Sequence, residues 1–248
     1  MNVFMVYAHQ EPTSFNARLR DAAVATLVGR GHTVVVSDLY ADDFDPRLTR
    51  RDFREVANAG RFDAQAEQAH AHKTATFAPG LAREMARLDA CDLMIWQFPI
   101  YWFSVPAILK GWIDRVLAYR YAYGGRWFEN GAFKGKRAII AMTTGAPAGG
   151  FGPDGRYGHI DALLWPLHWG TLRFCGFDVL RPQLFNGAAR PGPEGDAARA
   201  AMIAGWTERL ASIENETPLD MPNIAEFGPD GVLLPGGVYR HPLPPRIS

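Results

Sequence analysis

The chain has 248 residues, and its 26 Lys plus Arg are balanced by 26 Asp plus Glu. Nearly half of the residues are apolar, enough to fill the core of one domain, and the level charge balance excludes functions driven by a global field, such as nucleic-acid binding or docking on an anionic membrane. The opening "MNVFMVYAHQEP" has no basic segment, and its apolar run is too short for a signal or spanning helix, so the expectation is a cytoplasmic protein with no membrane insertion.

In chain order, "NVFMVYA" (2–8) has the apolar density of a strand buried on both faces. The loop "HQEPTSFN" leads into a helix from Phe15 to Arg30, capped by Ser14 and stopped by Gly31. A second strand, "HTVVVSDL" (32–39), is followed by a long gap. Its polar stretch, residues 50–78, is taken as an excursion from the core. His70 and His72 lie there on a helix that points them to different sides, which predicts a solvated helix and no metal site. An amphipathic helix over 81–92 closes the gap and leads into a third strand, "DLMIWQF" (92–98).

The loop "PIYWFSVP" then precedes a helix over 107–117. Strands "KRAIIAMTT" (136–144) and "FDVLRPQLF" (177–185) follow, separated by the Gly-rich "TGAPAGGFGPDGRYGH". Cys91 and Cys175 lie far apart in apolar stretches and read as buried free thiols. From Thr217 the chain is rich in Pro and Gly without helical period. The division is therefore one domain over 1–216 and an extended tail over 217–248 that packs on its own domain or on a second subunit.

Strands alternating with helices predict an α/β fold, a doubly wound five-stranded parallel sheet with helices on both faces. Ligands of such sheets sit at the carboxyl ends of the strands, here the loops after the first, third and fourth. Thr13, Ser14 and Asn16 can cradle a phosphate at a helix N-terminus, although Ser14 serves equally as a plain cap. Tyr101, Trp102 and Phe103 stand side by side where polar turn residues are expected. Any one ring could turn inward as core, but three in succession cannot. Trp102 and Phe103 suit the wall of a flat conjugated ligand such as a flavin isoalloxazine, with Thr143, Thr144 and Gly145 at its edge.

"QFPIYWFSVPAILKGWIDRV" (97–116), "TTGA" (143–146), "LLWPLHWGTLRFCGFDVLRPQL" (163–184) and "NETPL" (215–219) resemble the flavin-dependent NAD(P)H:quinone oxidoreductases, the DT-diaphorase family. The resemblance implies a flavodoxin-like fold, a homodimer, bound FAD with FMN as the alternative, and ping-pong hydride transfer from NADH or NADPH to a quinone-like acceptor. It places His9, Ser14, Phe15 and Asn16 on the diphosphate and ribityl part of the flavin. Pro99, Ile100, Tyr101, Trp102, Phe103, Thr143, Thr144 and Gly145 are placed around the ring system, and Arg199 near the adenine. Tyr123 is placed across the dimer over the partner's substrate pocket, with Phe174 as a further wall, and Trp102 and Phe103 join Tyr123 in sandwiching the nicotinamide and then the acceptor.

Two departures qualify the match. Better-known members carry a tyrosine and, six residues later, a histidine that help neutralise the reduced flavin, whereas this chain has Phe151 and Tyr157. Phe151 then serves only as a pocket wall, and Tyr157, or His159 if the loop turns it inward, replaces the relay. The Gly-rich pocket roof "YAYGGRWFENG" differs from the animal enzymes and is matched among bacterial relatives, including subunits of potassium-efflux systems. A redox-sensing regulatory subunit of a membrane transporter is therefore the alternative to an enzyme.

Overall fold

The computed structural model describes residues 1–237. Six strands, β1 (Asn2–Tyr7), β2 (Thr33–Asp38), β3 (Leu93–Pro99), β4 (Arg137–Thr143), β5 (Asp178–Val179) and β6 (Gln183–Phe185), form one parallel sheet in the order β2-β1-β3-β4-β5, with β6 also paired to β4. The reversal of strand order lies between β1 and β3. The loops that follow these strands therefore part there and leave a crevice at the carboxyl edge.

The predicted fifth strand is divided in two. Pro182 has no N–H to give to the ladder, so pairing with β4 lapses after Val179 and resumes at Gln183. In the buried β3, Met94, Trp96 and Phe98 face one core layer with Phe4, Leu109 and Trp112, while Leu93 and Ile95 face a second with Leu19, Leu27 and Trp206. The helices covering the sheet are α1 (Phe15–Gly29), α2 (Ala64–Thr74), α3 (Pro79–Ala90), α4 (Ala107–Val116), α5 (Ile160–Leu167) and α6 (Gly192–Leu210). Gly31 adopts the left-handed φ of +83° that ends α1, as the sequence predicts. Gly111 is required by close approach, because a Cβ there would lie 2.3 Å from the Pro46 backbone.

The stretch 50–78 is not an excursion from the core. Phe53, Ala71 and Phe77 are buried in the main layer, and three buried polar groups tie the segment down. Asp52 receives two hydrogen bonds from Arg115, at 2.8 and 3.1 Å. Glu67 accepts from the amides of Ala57 and Asn58, and Gln68 accepts from the Tyr119 amide. With Glu67, Gln68 and Ala71 buried, α2 is not a solvated helix either; Ala, Glu and Gln read as polar surface only when their distant partners are unknown.

The described part of the tail lies on its own domain. The Leu219 amide donates to the Val179 carbonyl at 2.8 Å, Arg173 donates to Asn223 at 3.1 Å, and the Ile224 amide donates to Glu129 at 3.2 Å. Residues 238–248 of the predicted tail fall outside the described residues. Among the described residues no helix is long and apolar enough to cross a membrane, and no group of His, Cys, Asp and Glu is placed to hold a metal ion.

His168, at the start of a π-helical segment (His168–Arg173), is buried with its Nε2 unpartnered, and burial pushes its pKa down to about 4. The native state thus holds this ring neutral where the unfolded chain binds a proton, so stability is complete above pH ~6.5 and falls as pH drops toward 4. The loss amounts to about 3 kcal/mol. Urea midpoints of His168→Gln and wild type should converge as the pH is lowered through that window; parallel profiles would contradict the assignment.

Candidate active site

The tip of the loop after β3 is a two-residue turn. The Tyr101 amide donates to the Ser104 carbonyl and the Ser104 amide to the Tyr101 carbonyl, both at 3.0 Å. Between them Trp102 and Phe103 adopt φ of +48° and +59°. Asn-Gly is the usual sequence at such positions, and the left-handed region costs an ordinary residue about 1–2 kcal/mol. The turn is held in place by β3, whose Pro99 pairs with Thr143, and by the Ile100 amide, which donates to the Thr143 carbonyl at 3.0 Å. Trp102 is 96% exposed. A bulky aromatic pair in a strained turn, with its indole in solvent, is an outlier of the kind that clusters at ligand clamps.

These rings open onto a cavity of about 230 Å³ lined by Ile100, Trp102, Phe103, Thr144, Gly145, Ala146, Phe151 and Tyr157. Seven of these eight are residues the sequence singled out; Ala146 is the addition. The Tyr157 ring lies 6.0 Å from Phe103 and 5.3 Å from Phe151, so the loop after β4 folds back to face the aromatic turn. Thr144 donates to the Ala146 carbonyl at 2.8 Å, leaving Tyr157 as the uncommitted side-chain hydroxyl of the lining. His159 is not in the lining; its Nδ1 accepts from the Asp161 amide at 3.3 Å and caps α5.

Beside the cavity, β1 delivers the first loop to the start of α1. Ser14 accepts from the Ala17 amide at 3.1 Å, so it is the cap, while Phe15 and Asn16 open the helix with N–H groups that have no intrahelical acceptor. Glu11 accepts from both the amide and the hydroxyl of Thr13, which occupies Thr13 and lowers the Glu11 pKa. His9 accepts from the Glu11 amide through Nδ1 at 3.0 Å, and burial lowers its pKa. The neutral ring then carries its proton on Nε2, free to donate.

The two loops are tied through a buried polar cluster. Asn16 donates to Thr143 Oγ1 at 2.9 Å, and Gln97 donates to the Asn16 carbonyl at 2.6 Å. Asn16 Oδ1 in the first turn of α1, and Gln97 Oε1 and the Tyr7 hydroxyl on neighbouring strand ends, are buried without a hydrogen-bond partner. Native proteins rarely leave such atoms unsatisfied, and two of the three are acceptors that ask for hydroxyl or N–H donors. A polyhydroxylated chain joining a flat ring to a phosphate meets this demand, and the flavin ribityl group is such a chain. Gln97 and Tyr7 were absent from the sequence-predicted site. The one signal for Gln97 was an amide inside an otherwise apolar strand.

Other predicted residues are placed elsewhere. Arg199 donates to the carbonyls of Ala188 and Arg190, at 3.1 and 2.6 Å, and pairs with Asp196, so its guanidinium clamps the loop that precedes α6. Tyr123 and Phe174 lie 6.1 Å apart in a second aromatic cluster, where the Phe174 ring is parallel to Trp127 at 6.5 Å; neither lines the cavity of Trp102. Burial pushes the Cys91 and Cys175 thiols up to about 11 and about 12, which leaves no thiolate for chemistry at neutral pH.

Residues 1–210 match the model of a family described as having a flavodoxin-like fold. The chain is 44% identical over 219 residues to the mouse ribosyldihydronicotinamide dehydrogenase [quinone], covering 88% of this chain and 94% of that protein. It is 41% identical over 217 residues to the guinea pig (Cavia porcellus) NAD(P)H dehydrogenase [quinone] 1, covering 87% and 78%. An inferred quinone reductase from Klebsiella pneumoniae superposes with a TM-score of 0.90 at 33% identity, covering 95% of this chain and 94% of that one. The chain belongs to the flavodoxin-like fold family, in the branch that contains the quinone dehydrogenases.

Proposed function

We propose that the protein is a flavin-dependent two-electron reductase acting on quinones or similar acceptors, with NADH or NADPH as donor. The observation that carries this reading is the pair of consecutive left-handed aromatics, Trp102 and Phe103, above a cavity whose neighbouring buried acceptors lack donors. A bound flavin would supply the chemistry, taking hydride from reduced nicotinamide and passing it to the acceptor in a ping-pong cycle.

In this reading the chain's own residues bind and orient. Trp102 and Phe103 cover one face of the ring system, Ile100 and Phe151 keep the site apolar, and Pro99, Tyr101, Thr143 and Thr144 frame its edge. Tyr157 presents a hydroxyl proton to charge that develops there. Asn16 and Gln97 receive the ribityl hydroxyls, and His9 Nε2 with the first amides of α1 faces the phosphates. FAD is our preferred form and FMN the alternative, which mass spectrometry of the released chromophore distinguishes. Tyr123 and Phe174, outside the chain's own cavity, are assigned to the roof of the partner's pocket in a homodimer.

Gly145 supplies a check on the binding mode. Its backbone does not need glycine, and an added Cβ would meet only the Ala189 methyl at 3.8 Å. Gly145→Val is therefore expected to leave the apoprotein's Tm within about 2 °C, since a surface change away from strained or packed features stays within about ±0.5 kcal/mol. The same change should weaken flavin binding at least tenfold, read by fluorescence quenching on titration.

The activity itself is tested by mixing the purified protein with NAD(P)H and a benzoquinone. Oxidation of the nicotinamide with double-reciprocal plots that stay parallel as the quinone is varied is the expected result. Bound flavin with no nicotinamide oxidation would overturn the enzymatic reading.

A further inference from the structure

The loop Pro147–Tyr157 carries more than a wall. The Tyr157 amide donates to the Gly150 carbonyl at 3.0 Å, and an added Cβ on Gly150 would lie 2.8 and 3.0 Å from the tyrosine ring. A Cβ on Gly155 would strike the Gly150 carbonyl oxygen at 2.4 Å. Glycines at 150 and 155 thus let the loop close until the Tyr157 ring is seated against its own backbone, with Phe103 and Phe151 on other sides. The Arg156 guanidinium carbon lies 5.5 Å from the centroid of that same ring. Among the described residues no carboxylate lies within 4 Å of Arg156, in contrast to Arg20, Arg47, Arg87, Arg115, Arg190, Arg199 and Arg209.

We infer that Arg156 is a positioning and electrostatic residue that acts through Tyr157 to favour negative charge in the cavity, and so tunes the reduction of whatever flat redox group the cavity holds. This rests on the flavin reading above. The cavity lining contains no ionisable group except Tyr157, so a ligand that gains negative charge finds no cation there. A guanidinium over the outside of the tyrosine ring fills that role. It draws on the ring's π density, makes the phenol a better donor toward the cavity, and adds a positive potential that is not cancelled by an ion pair.

The experiment is a spectroelectrochemical titration of the flavin-loaded protein, with Arg156→Gln, Arg156→Lys, Tyr157→Phe and the Arg156→Gln/Tyr157→Phe double variant. Arg156→Gln should shift the midpoint potential to a more negative value, equivalent to a threefold to fivefold loss in the preference for reduced over oxidised flavin, on the order expected for an exposed cation–π contact. Arg156→Lys should recover most of the shift. The wild-type potential should move toward that of Arg156→Gln as salt is raised, and the effect of Arg156→Gln should shrink in the Tyr157→Phe background. A purely structural role would instead lower the Tm and leave the potential unmoved. An unchanged potential in Arg156→Gln, or an undiminished effect without the tyrosine hydroxyl, overturns the inference while leaving the flavin reading intact. A wild-type protein that takes up no flavin overturns both.

Discussion

Replacing Trp102 with Asn and Phe103 with Gly is expected to make the protein more stable and unable to hold its flavin. Both positions sit at positive φ, where Asn and Gly are at ease and bulky aromatics are strained by about 1–2 kcal/mol each. Against this relief stand the greater freedom of glycine in the unfolded chain, about 0.5–1 kcal/mol, and the loss of the Phe103 contact with Tyr157. Because Trp102 is almost fully exposed, removing its indole forfeits little packing. The net gain should be about 1–2 kcal/mol, raising the Tm of the apoprotein by roughly 2–8 °C in calorimetry. Flavin affinity should fall about 100-fold or more, since the wall that buries one face of the ring is gone. A drop in Tm together with retained flavin would show that the aromatic turn serves the fold and not the site.

Arg115→Met should cost about 3–5 kcal/mol of stability. Asp52 is fully buried, and Arg115 supplies both of its hydrogen bonds, donates to the Asp45 carbonyl as well, and stacks over Phe44. Removing the guanidinium leaves a buried carboxylate with no counter-charge, and a methionine of similar length restores only the packing. The double variant Asp52→Leu/Arg115→Met should recover most of the loss, because two apolar residues replace a buried pair at little net cost. By contrast Lys110→Met, which breaks the exposed pair with Asp114 on the same helix, should change stability by less than about 1 kcal/mol. Urea midpoints of the four proteins measure these differences, and a small effect of Arg115→Met would mean that the 44–54 segment is held by its apolar contacts alone.

Much of the fold was legible in the sequence because the sheet is buried on both faces. Runs such as 2–8 and 92–98 need no partner to be read as strands, and Ser14 and Gly31 bracket α1 by local chemistry. What could not be read depends on contacts between distant residues. The Asp52–Arg115 pair spans 63 positions and the Gln97–Asn16 bond 81, so the buried carboxylates of the 50–78 stretch and the amide of β3 looked like polar surface and core. The interruption at Pro182 was available in principle, since a proline inside a presumed buried strand argues against an unbroken ladder. At the site, residue types revealed the aromatic turn and the Gly-rich loop opposite it. They could not reveal the left-handed backbone of Trp102 and Phe103. Nor could they show that His159 is engaged as a cap and Arg199 as a clamp, because each role is set by how the loop closes.

The most direct measurement is the visible absorption spectrum of gently purified protein, before and after incubation with FAD or FMN and gel filtration. A yellow protein that retains about one flavin per chain, bleaches when NAD(P)H is added and regains its colour with benzoquinone is the predicted result. Protein that is colourless as isolated and stays so after exposure to either flavin would contradict the assignment of the Trp102–Phe103 turn as a flavin wall.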